Sequence, residues 1–174
     1  ILACGAWLGQ TLEPLGFEVD VRPQKGQLRD YFFEGMDTAK LPVLMPEGEL
    51  DVIPFAGGKI SVGASHENDQ GFDLTVDETV LASLEEEAKT YFPDLSTAKS
   101  FSERVGTRAY TSDFSPFFGE VPELESVFVA SGLGSSGLTT GPLIGKNLVE
   151  LAMNRPGSLD SADYPVAQYV KKKD

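Results

Sequence analysis

The sequence predicts an α+β fold in which an antiparallel or mixed sheet carries a flanking helix. Gly57 and Gly58 are typical of a hairpin turn, so residues 51–55 and 59–64 are expected to pair as antiparallel strands. Residues 75–92 place apolar side chains at helical spacing and end at a proline, which predicts the flanking helix. A short apolar strand, a glycine-rich turn and a helix over residues 137–153 complete the pattern.

Composition and charge exclude several classes of function. The 174 residues carry a formal net charge of −13, which repels phosphate backbones, so nucleic acid is not an expected partner. No apolar run reaches the roughly 20 residues that a membrane-spanning helix requires. Cys4 is the only cysteine, which excludes an internal disulfide and any multi-cysteine metal site, and no metal is expected. A single cysteine also favours a reducing, cytoplasmic location.

The glycine-rich turn before the last helix fits G-x-G-x-x-G, the spacing that cradles a dinucleotide phosphate at a helix N-terminus. Its residues are Gly132-Leu133-Gly134-Ser135-Ser136-Gly137. A dinucleotide-binding unit also needs a second strand after the helix and an acidic residue about 20 positions on, and the sequence indicates neither. A serine nucleophile elbow needs G-x-S-x-G, which residues 134–137 do not supply. A tight connection whose glycines only allow close packing is the third interpretation.

Seven short motifs follow one another along the chain. They are Leu2-Ala3-Cys4-Gly5-Ala6-Trp7, Pro23-Gln24-Lys25-Gly26-Gln27, Ile60-Ser61-Val62-Gly63-Ala64-Ser65, Gly71-Phe72-Asp73, Gly106-Thr107-Arg108, Ser112-Asp113-x-x-Pro116-x-x-Gly119 and Val129-Ala130-Ser131-Gly132-Leu133-Gly134-Ser135-Ser136-Gly137-Leu138. Together they resemble the D-amino-acid oxidase superfamily of FAD-dependent flavoproteins, the group that includes glycine oxidase and D-amino-acid dehydrogenase. The likeness covers residue 1 to about residue 155.

The resemblance implies that the chain is the C-terminal part of a longer enzyme. The family's N-terminal G-x-G-x-x-G fingerprint does not precede Ile1, and the chain opens in mid-strand without an initiator methionine. By resemblance, residues 1–9 end one part of an FAD-binding domain, 10–107 form a substrate-binding domain, 108–155 supply the closing strand and helix of the FAD-binding domain, and 156–174 are a surface tail. We expect FAD in the full-length parent and not on the isolated chain, which would be inactive. An unpaired strand edge would favour self-association.

The resemblance also assigns residues to the cofactor and the substrate. In the family, the helix after the glycine turn directs its N-terminus at the pyrimidine edge of the flavin ring, where reduced flavin is anionic. Arg108 matches the arginine that holds the substrate carboxylate, and His66 and Asp51 fall where the family lines the substrate cavity. No catalytic residue is assigned. The expected cofactor-binding residues are Gly5, Ala6, Trp7, Gly132, Gly134, Ser135, Ser136, Gly137, Leu138 and Thr139.

The reaction implied for the parent is oxidation of the C–N bond of an amino acid or amine by hydride transfer to flavin N5. Two alternatives stay open at this point. One is a flavin-dependent hydroxy-acid oxidoreductase of the same superfamily, and the other is a non-catalytic small-molecule-binding or assembly domain that retains the fold. The sequence does not distinguish oxygen from a quinone as the electron acceptor.

Overall fold

The computed structural model describes residues 1–173 and is an α+β structure with antiparallel sheets. The chain forms two compact units, of which the first comprises Ile1–Gln24 with the chain from Arg108 onward, and the second comprises Lys25–Thr107. Residues 10–24, which the sequence assigns to a substrate domain, lie in the first unit instead. The reason is that Leu12 and Phe17 are buried in the core of that unit.

The first unit is built around two small antiparallel sheets of two strands each. One sheet pairs β6 Phe117–Glu120 with β7 Phe128–Ser131, and the other pairs β1 Phe17–Val19 with β8 Val170–Lys172. Leu2 forms a parallel bridge with Val129 of β7. The helices and strands are α1 Leu8–Leu12, β1 Phe17–Val19, β6 Phe117–Glu120, β7 Phe128–Ser131, α3 Gly137–Ala152, α4 Val166–Tyr169 and β8 Val170–Lys172. Short 3₁₀ helices are Gly5–Trp7, Glu13–Leu15, Gly134–Ser136 and Ser161–Asp163.

Three side chains of the C-terminal segment, over which a surface tail is predicted (156–174), belong to the first unit's core. Val166, Tyr169 and Val170 are buried, and the Tyr169 ring stacks on Phe117 with centroids 4.8 Å apart. β8 pairs with β1, with Val170 opposite Val19. The sequence gives little indication of this burial, because polar residues separate these apolar residues along the chain. They join the rest of the core only in the folded structure.

The second unit contains most of a four-stranded sheet and one flanking helix. The elements are β2 Arg22–Phe32, β3 Asp51–Phe55, β4 Lys59–Gly63, α2 Glu78–Tyr91 and β5 Lys99–Tyr110, with 3₁₀ helices at Thr38–Lys40 and Pro93–Thr97. The strand order is β3-β4-β2-β5, and two strand ends, residues 22–24 of β2 and 108–110 of β5, belong to the first unit. The predicted hairpin is therefore present, although its second strand ends at Gly63. Asp77 caps α2, because its carboxylate accepts hydrogen bonds from the N–H groups of Thr79 and Val80.

The two faces of this sheet differ in chemistry. Val52, Ile60 and Val62 are almost completely buried and share a core cluster with Ala88 of α2. Directly opposite residues of paired strands share a face, and successive residues of a strand alternate between faces. Ser61, which lies between Ile60 and Val62, is therefore on the other face, which we call the open face.

A polar network is built around Asp30 on the open face. The Arg104 guanidinium donates to both carboxylate oxygens, with Nε and Nη2 at 3.0 and 2.8 Å, and the hydroxyls of Ser61 and Ser102 also donate to them. Burial alone would raise the pKa of the Asp30 carboxyl, but the hydrogen bonds from Arg104, Ser61 and Ser102 outweigh burial and lower it. Asp30 is therefore a stabilising carboxylate at neutral pH.

Val170→Ala should reduce the free energy of unfolding by about 2 kcal/mol, because it removes two buried methyl groups and leaves a cavity. Lys171→Ala is the matched control, since Lys171 is exposed on the same strand. It should change stability by less than about 0.5 kcal/mol. Chemical denaturation measures both values, and equal effects of the two substitutions would contradict a buried C-terminal strand.

Asp30→Asn should lower the free energy of unfolding at neutral pH by about 1–3 kcal/mol, since it weakens bonds to a buried group. Because the folded-state pKa of Asp30 is below its ordinary value of 3.8, its contribution is fully present above that value. The contribution is lost as the pH falls through the lowered pKa.

Denaturation measured from about pH 5 to about pH 2 should therefore show a shallower pH dependence in Asp30→Asn than in the wild type. Glu87→Gln, which removes an exposed carboxylate on α2, is the control and should retain the wild-type slope. An unaltered slope in Asp30→Asn would show that the ionised carboxylate does not stabilise the fold.

Candidate functional site

The glycine turn of the first unit connects β7 to α3 through the 3₁₀ helix Gly134–Ser136. Gly132 and Gly134 have φ angles of +77° and +52°, a region that residues with a Cβ rarely adopt. A Cβ on Gly134 would lie 2.4 Å from the Tyr110 ring, and one on Gly132 would lie 2.8 Å from the carbonyl oxygen of Ser115. Backbone conformation and close packing therefore account for both glycines.

The strand that follows α3 argues against a dinucleotide-phosphate site at this turn. A dinucleotide-binding unit places the strands before and after the helix in one parallel sheet. Here β8 follows α3 and pairs with β1 in an antiparallel arrangement, whereas β7 pairs with β6. The G-x-G-x-x-G turn therefore lacks the parallel strands that flank such a turn in a dinucleotide-binding unit.

Tyr110, at the end of β5, holds the glycine turn in place. Its hydroxyl lies 3.1 Å from Ser135 Oγ and accepts a hydrogen bond of 3.2 Å from the Ser135 backbone N–H. The ring is buried beside Gly134. Sequence reasoning missed Tyr110, because no motif connects it to a turn that follows 25 residues later.

The N-terminus of α3 is presented without a side-chain cap. Ser136 occupies the N-cap position, but its hydroxyl donates to the Leu133 carbonyl at 2.9 Å instead of accepting from the helix. The first N–H groups of a helix have no acceptor within the helix, and the helix dipole is positive there. Leu138 in the first turn is 97% exposed and Thr139 is exposed beside it. This arrangement can stabilise negative charge on a group that approaches the helix end.

The N-terminal segment lies beside the same turn. Ser131, which directly precedes Gly132, donates a hydrogen bond of 3.0 Å from its hydroxyl to the Gly5 carbonyl. Ala6 is buried and Trp7 is 45% exposed. The structure therefore brings together, within one unit, all the residues that the sequence assigns to the cofactor.

The expected substrate-binding residues are divided between the two units. Arg108 is a half-buried residue of β5 in the first unit. Asp51 lies opposite Gly63 at one end of the β3–β4 pair, and His66 follows that end by three residues. The second unit therefore places Asp51 and His66 at the same end of its sheet.

His66 approaches a carboxylate that sequence reasoning missed. Its Nδ1 lies 3.3 Å from Glu49 Oε2, and this contact becomes an ion pair when the imidazole is protonated. The nitrogen makes no hydrogen bond within the described chain. Only the hairpin fold brings Glu49 to His66, and the sequence between them carries no motif that indicates it.

Among residues 1–173, no cluster of three or more histidine, cysteine, aspartate or glutamate side chains has an arrangement that could hold a metal ion. None of the helices in this part of the chain is both long and apolar enough to span a bilayer.

Comparison with known proteins identifies relatives over nearly the whole chain. The family described as DAO, FAD dependent oxidoreductase, matches residues 1–151. An uncharacterized oxidoreductase of Bacillus subtilis, YurR, is 37% identical over 168 residues, which are 96% of this chain and 45% of the relative. The glycine oxidase of Pseudomonas aeruginosa is 30% identical over 167 residues, again 96% of this chain and 45% of the relative.

Solved structures of similar proteins have the same fold as this chain. Iminodiacetate oxidase from Chelativorans sp. BNC1 superimposes with a TM-score of 0.90 and 32% identity, over 94% of this chain and 44% of that protein. Glycine oxidase from Geobacillus kaustophilus gives a TM-score of 0.84 over 95% of this chain and 44% of that protein, with 23% identity, which shows a shared fold.

The chain spans less than half the length of the relatives it matches. The family match and the shared fold agree with the resemblance inferred from the sequence, which is therefore confirmed. Since the family match includes 151 of 174 residues, the chain belongs to the DAO family of FAD dependent oxidoreductases.

Proposed function

We propose that this chain supplies the substrate-binding part and the ring-binding part of an FAD-dependent oxidoreductase that oxidises the C–N bond of an amino acid or amine. The observation that carries the proposal is the uncapped N-terminus of α3, with Leu138 97% exposed, in a chain of an FAD-dependent family. Relatives named glycine oxidase and iminodiacetate oxidase support an amino acid or amine as the substrate class.

The residues present fit the ring of a flavin. Leu138 and Thr139 are exposed in the first turn of α3, and a Cβ built on Gly5 would meet nothing within 4 Å. A flat ring can approach the backbone closely at a glycine, which has no side chain, and at a helix end without a side-chain cap. A bound flavin would supply the acceptor for the hydride that leaves the substrate carbon. The N–H groups and dipole of α3 would stabilise negative charge at the edge of the ring.

Arg108 is proposed to hold the substrate carboxylate. Only an arginine offers a planar fork that can make two parallel hydrogen bonds to a carboxylate. Asp51 and His66 are proposed to line the substrate cavity, with Glu49 Oε2 3.3 Å from His66 Nδ1. The protein's task in this chemistry is to orient the reacting carbon and to stabilise charge, and no residue is assigned as a general base.

A companion dinucleotide-binding half is part of the proposal, because relatives are more than twice as long as the matched region. Three apolar side chains of the α3 region, Leu143, Val149 and Met153, are exposed. Their exposure supports the proposal that another polypeptide segment packs on α3. Residues 1–174 alone are expected to bind flavin weakly, to be inactive, and to self-associate through unpaired strand edges. The single cysteine and the net charge of −13 support a cytoplasmic location without a nucleic-acid partner.

In the flavin-loaded full-length protein, Thr139→Glu should lower the flavin reduction potential by about 30 mV, or about 1.4 kcal/mol for two electrons. The physical reason is that a carboxylate beside the helix N-terminus opposes negative charge on the reduced ring. Thr139→Gln, which has nearly the same size and no charge, should retain the wild-type potential. Spectroelectrochemical titration measures both, and equal potentials in all three proteins would place the ring elsewhere.

Arg108→Ala and Arg108→Lys should lower kcat/KM for amino acids mainly through KM, by an amount corresponding to about 2–5 kcal/mol for the alanine variant. Loss of the bidentate contact leaves the carboxylate without its charged partner. Steady-state kinetics with glycine and with the corresponding amine that lacks a carboxylate test this assignment. An unchanged KM for glycine in Arg108→Ala would exclude Arg108 as the carboxylate ligand.

A further inference from the structure

We infer that Tyr110 is a positioning residue for the proposed flavin site, because its hydroxyl makes the Ser135 hydroxyl a hydrogen-bond donor to the negatively charged edge of the reduced ring. This inference rests on the proposed function, in which the ring lies at the N-terminus of α3. Both residues belong to the first unit, so the inference concerns contacts within that unit alone.

The Tyr110 ring is fixed against the glycine turn. A Cβ built on Gly134 would lie 2.8 Å from Cζ, the ring carbon that bears the hydroxyl, so the ring occupies the space that a side chain at this position would need. Phe114 also packs on the Tyr110 ring, edge to face, with centroids 5.2 Å apart. The Arg22 guanidinium lies 5.6 Å from the centroid of Phe114. A ring packed in this way holds its hydroxyl at one position on the turn.

The hydroxyl of Tyr110 makes two hydrogen bonds to one residue. Its oxygen accepts the Ser135 backbone N–H at 3.2 Å. Only 9% of Tyr110 is exposed, so the hydroxyl proton needs an acceptor within the protein. Ser135 Oγ, 3.1 Å away, is the acceptor that the described residues offer to it. Tyr110 therefore accepts from the backbone of Ser135 and donates to its side chain.

This arrangement leaves the proton of the Ser135 hydroxyl available. A serine hydroxyl carries one donor and two acceptor lone pairs, and the bond from Tyr110 occupies a lone pair. The Ser135 side chain is exposed, and its hydroxyl donates to no group within residues 1–173. The neighbouring Ser136 differs, because its hydroxyl donates to the Leu133 carbonyl at 2.9 Å. Ser135 is therefore the serine of this turn that can donate to a bound group.

An oriented donor at this point suits an acceptor that gains negative charge. Hydrogen bonds to ionised acceptors are roughly twice as strong as those between neutral groups. Tyr110 orients the Ser135 hydroxyl in advance, so the donor need not reorganise when the charge develops. Ser135 also lies in the 3₁₀ helix Gly134–Ser136, which leads directly into α3. Its hydroxyl therefore adds to the partial positive charge at the N-terminus of α3.

In the flavin-loaded full-length protein, Tyr110→Phe should lower the flavin reduction potential by about 30 mV. The phenylalanine ring still packs beside Gly134, and only the hydroxyl that orients Ser135 is removed. Ser135→Ala should lower the potential by about the same amount. The double variant should lower it no further, because both substitutions remove a single interaction. Spectroelectrochemical titration measures all three, and additive shifts would overturn the inference.

Tyr164→Phe is the matched control for the loss of a tyrosine hydroxyl. Tyr164 is a half-buried residue of the first unit that packs on Phe118, and its hydroxyl makes no hydrogen bond within the described chain. This variant should retain the wild-type potential. A shift in Tyr164→Phe equal to that in Tyr110→Phe would show that a general change in the unit, and not the Ser135 donor, sets the potential.

Hydrogen exchange of the same full-length proteins separates support of the turn from orientation of the donor. The Ser135 amide should exchange about fivefold faster or more in Tyr110→Phe, because the bond to the hydroxyl is lost. Ser135→Ala keeps that backbone bond, so the amide at position 135 should remain protected while the flavin potential falls. Protection in Ser135→Ala together with a wild-type potential would reduce Tyr110 to a structural support and overturn the inference.

The outcomes also distinguish this inference from the proposed function. If the wild-type full-length protein binds no flavin, the proposed function fails and the inference fails with it. If that protein binds flavin and oxidises an amino acid or amine, but Tyr110→Phe retains the wild-type potential, the inference fails alone and the proposed function stands.

Discussion

The antiparallel register of β4 between β2 and β3 is the constraint on which the second unit depends. Val62 lies opposite Val52 in the core beneath α2, and Ser61 lies opposite Asp30 on the open face. A slip of one residue would exchange the two faces of a strand. It would bury Ser61 in an apolar core, where an unpaired hydroxyl is costly, and expose Val62. The burial of apolar side chains therefore also determines which polar groups stand together.

The first unit depends on contacts between the two ends of the chain. β8 closes the core beside β1, and Ser131 joins the Gly5 segment to the end of β7 across 126 residues. Such contacts are costly in chain entropy, and a packed core compensates for that cost. Their consequence for function is that the glycine turn and the N-terminus of α3 are supported from several directions, by Tyr110 on one side and by Ser131 on another.

The structure holds fixed charges of two kinds. The partial positive charge at α3 comes from the backbone, so its orientation is settled once the helix has folded. The charge of Arg104 belongs to a long side chain and needs Asp30 to orient it. The fixed orientation at α3 means that the proposed flavin site need not reorganise when negative charge develops there, which is the condition for effective electrostatic stabilisation.

The sequence by itself determined the local elements and the family: the hairpin at Gly57 and Gly58, the helix α2, and the strand, turn and helix around residues 132–139. These features depend on periodicity and turn residues within short windows. Only the tertiary structure decided that Val166, Tyr169 and Val170 of the C-terminal segment are buried and that Asp30 meets Arg104 across 74 residues. Such pairings depend on strand register and core packing between distant segments, and no local pattern of residues encodes them.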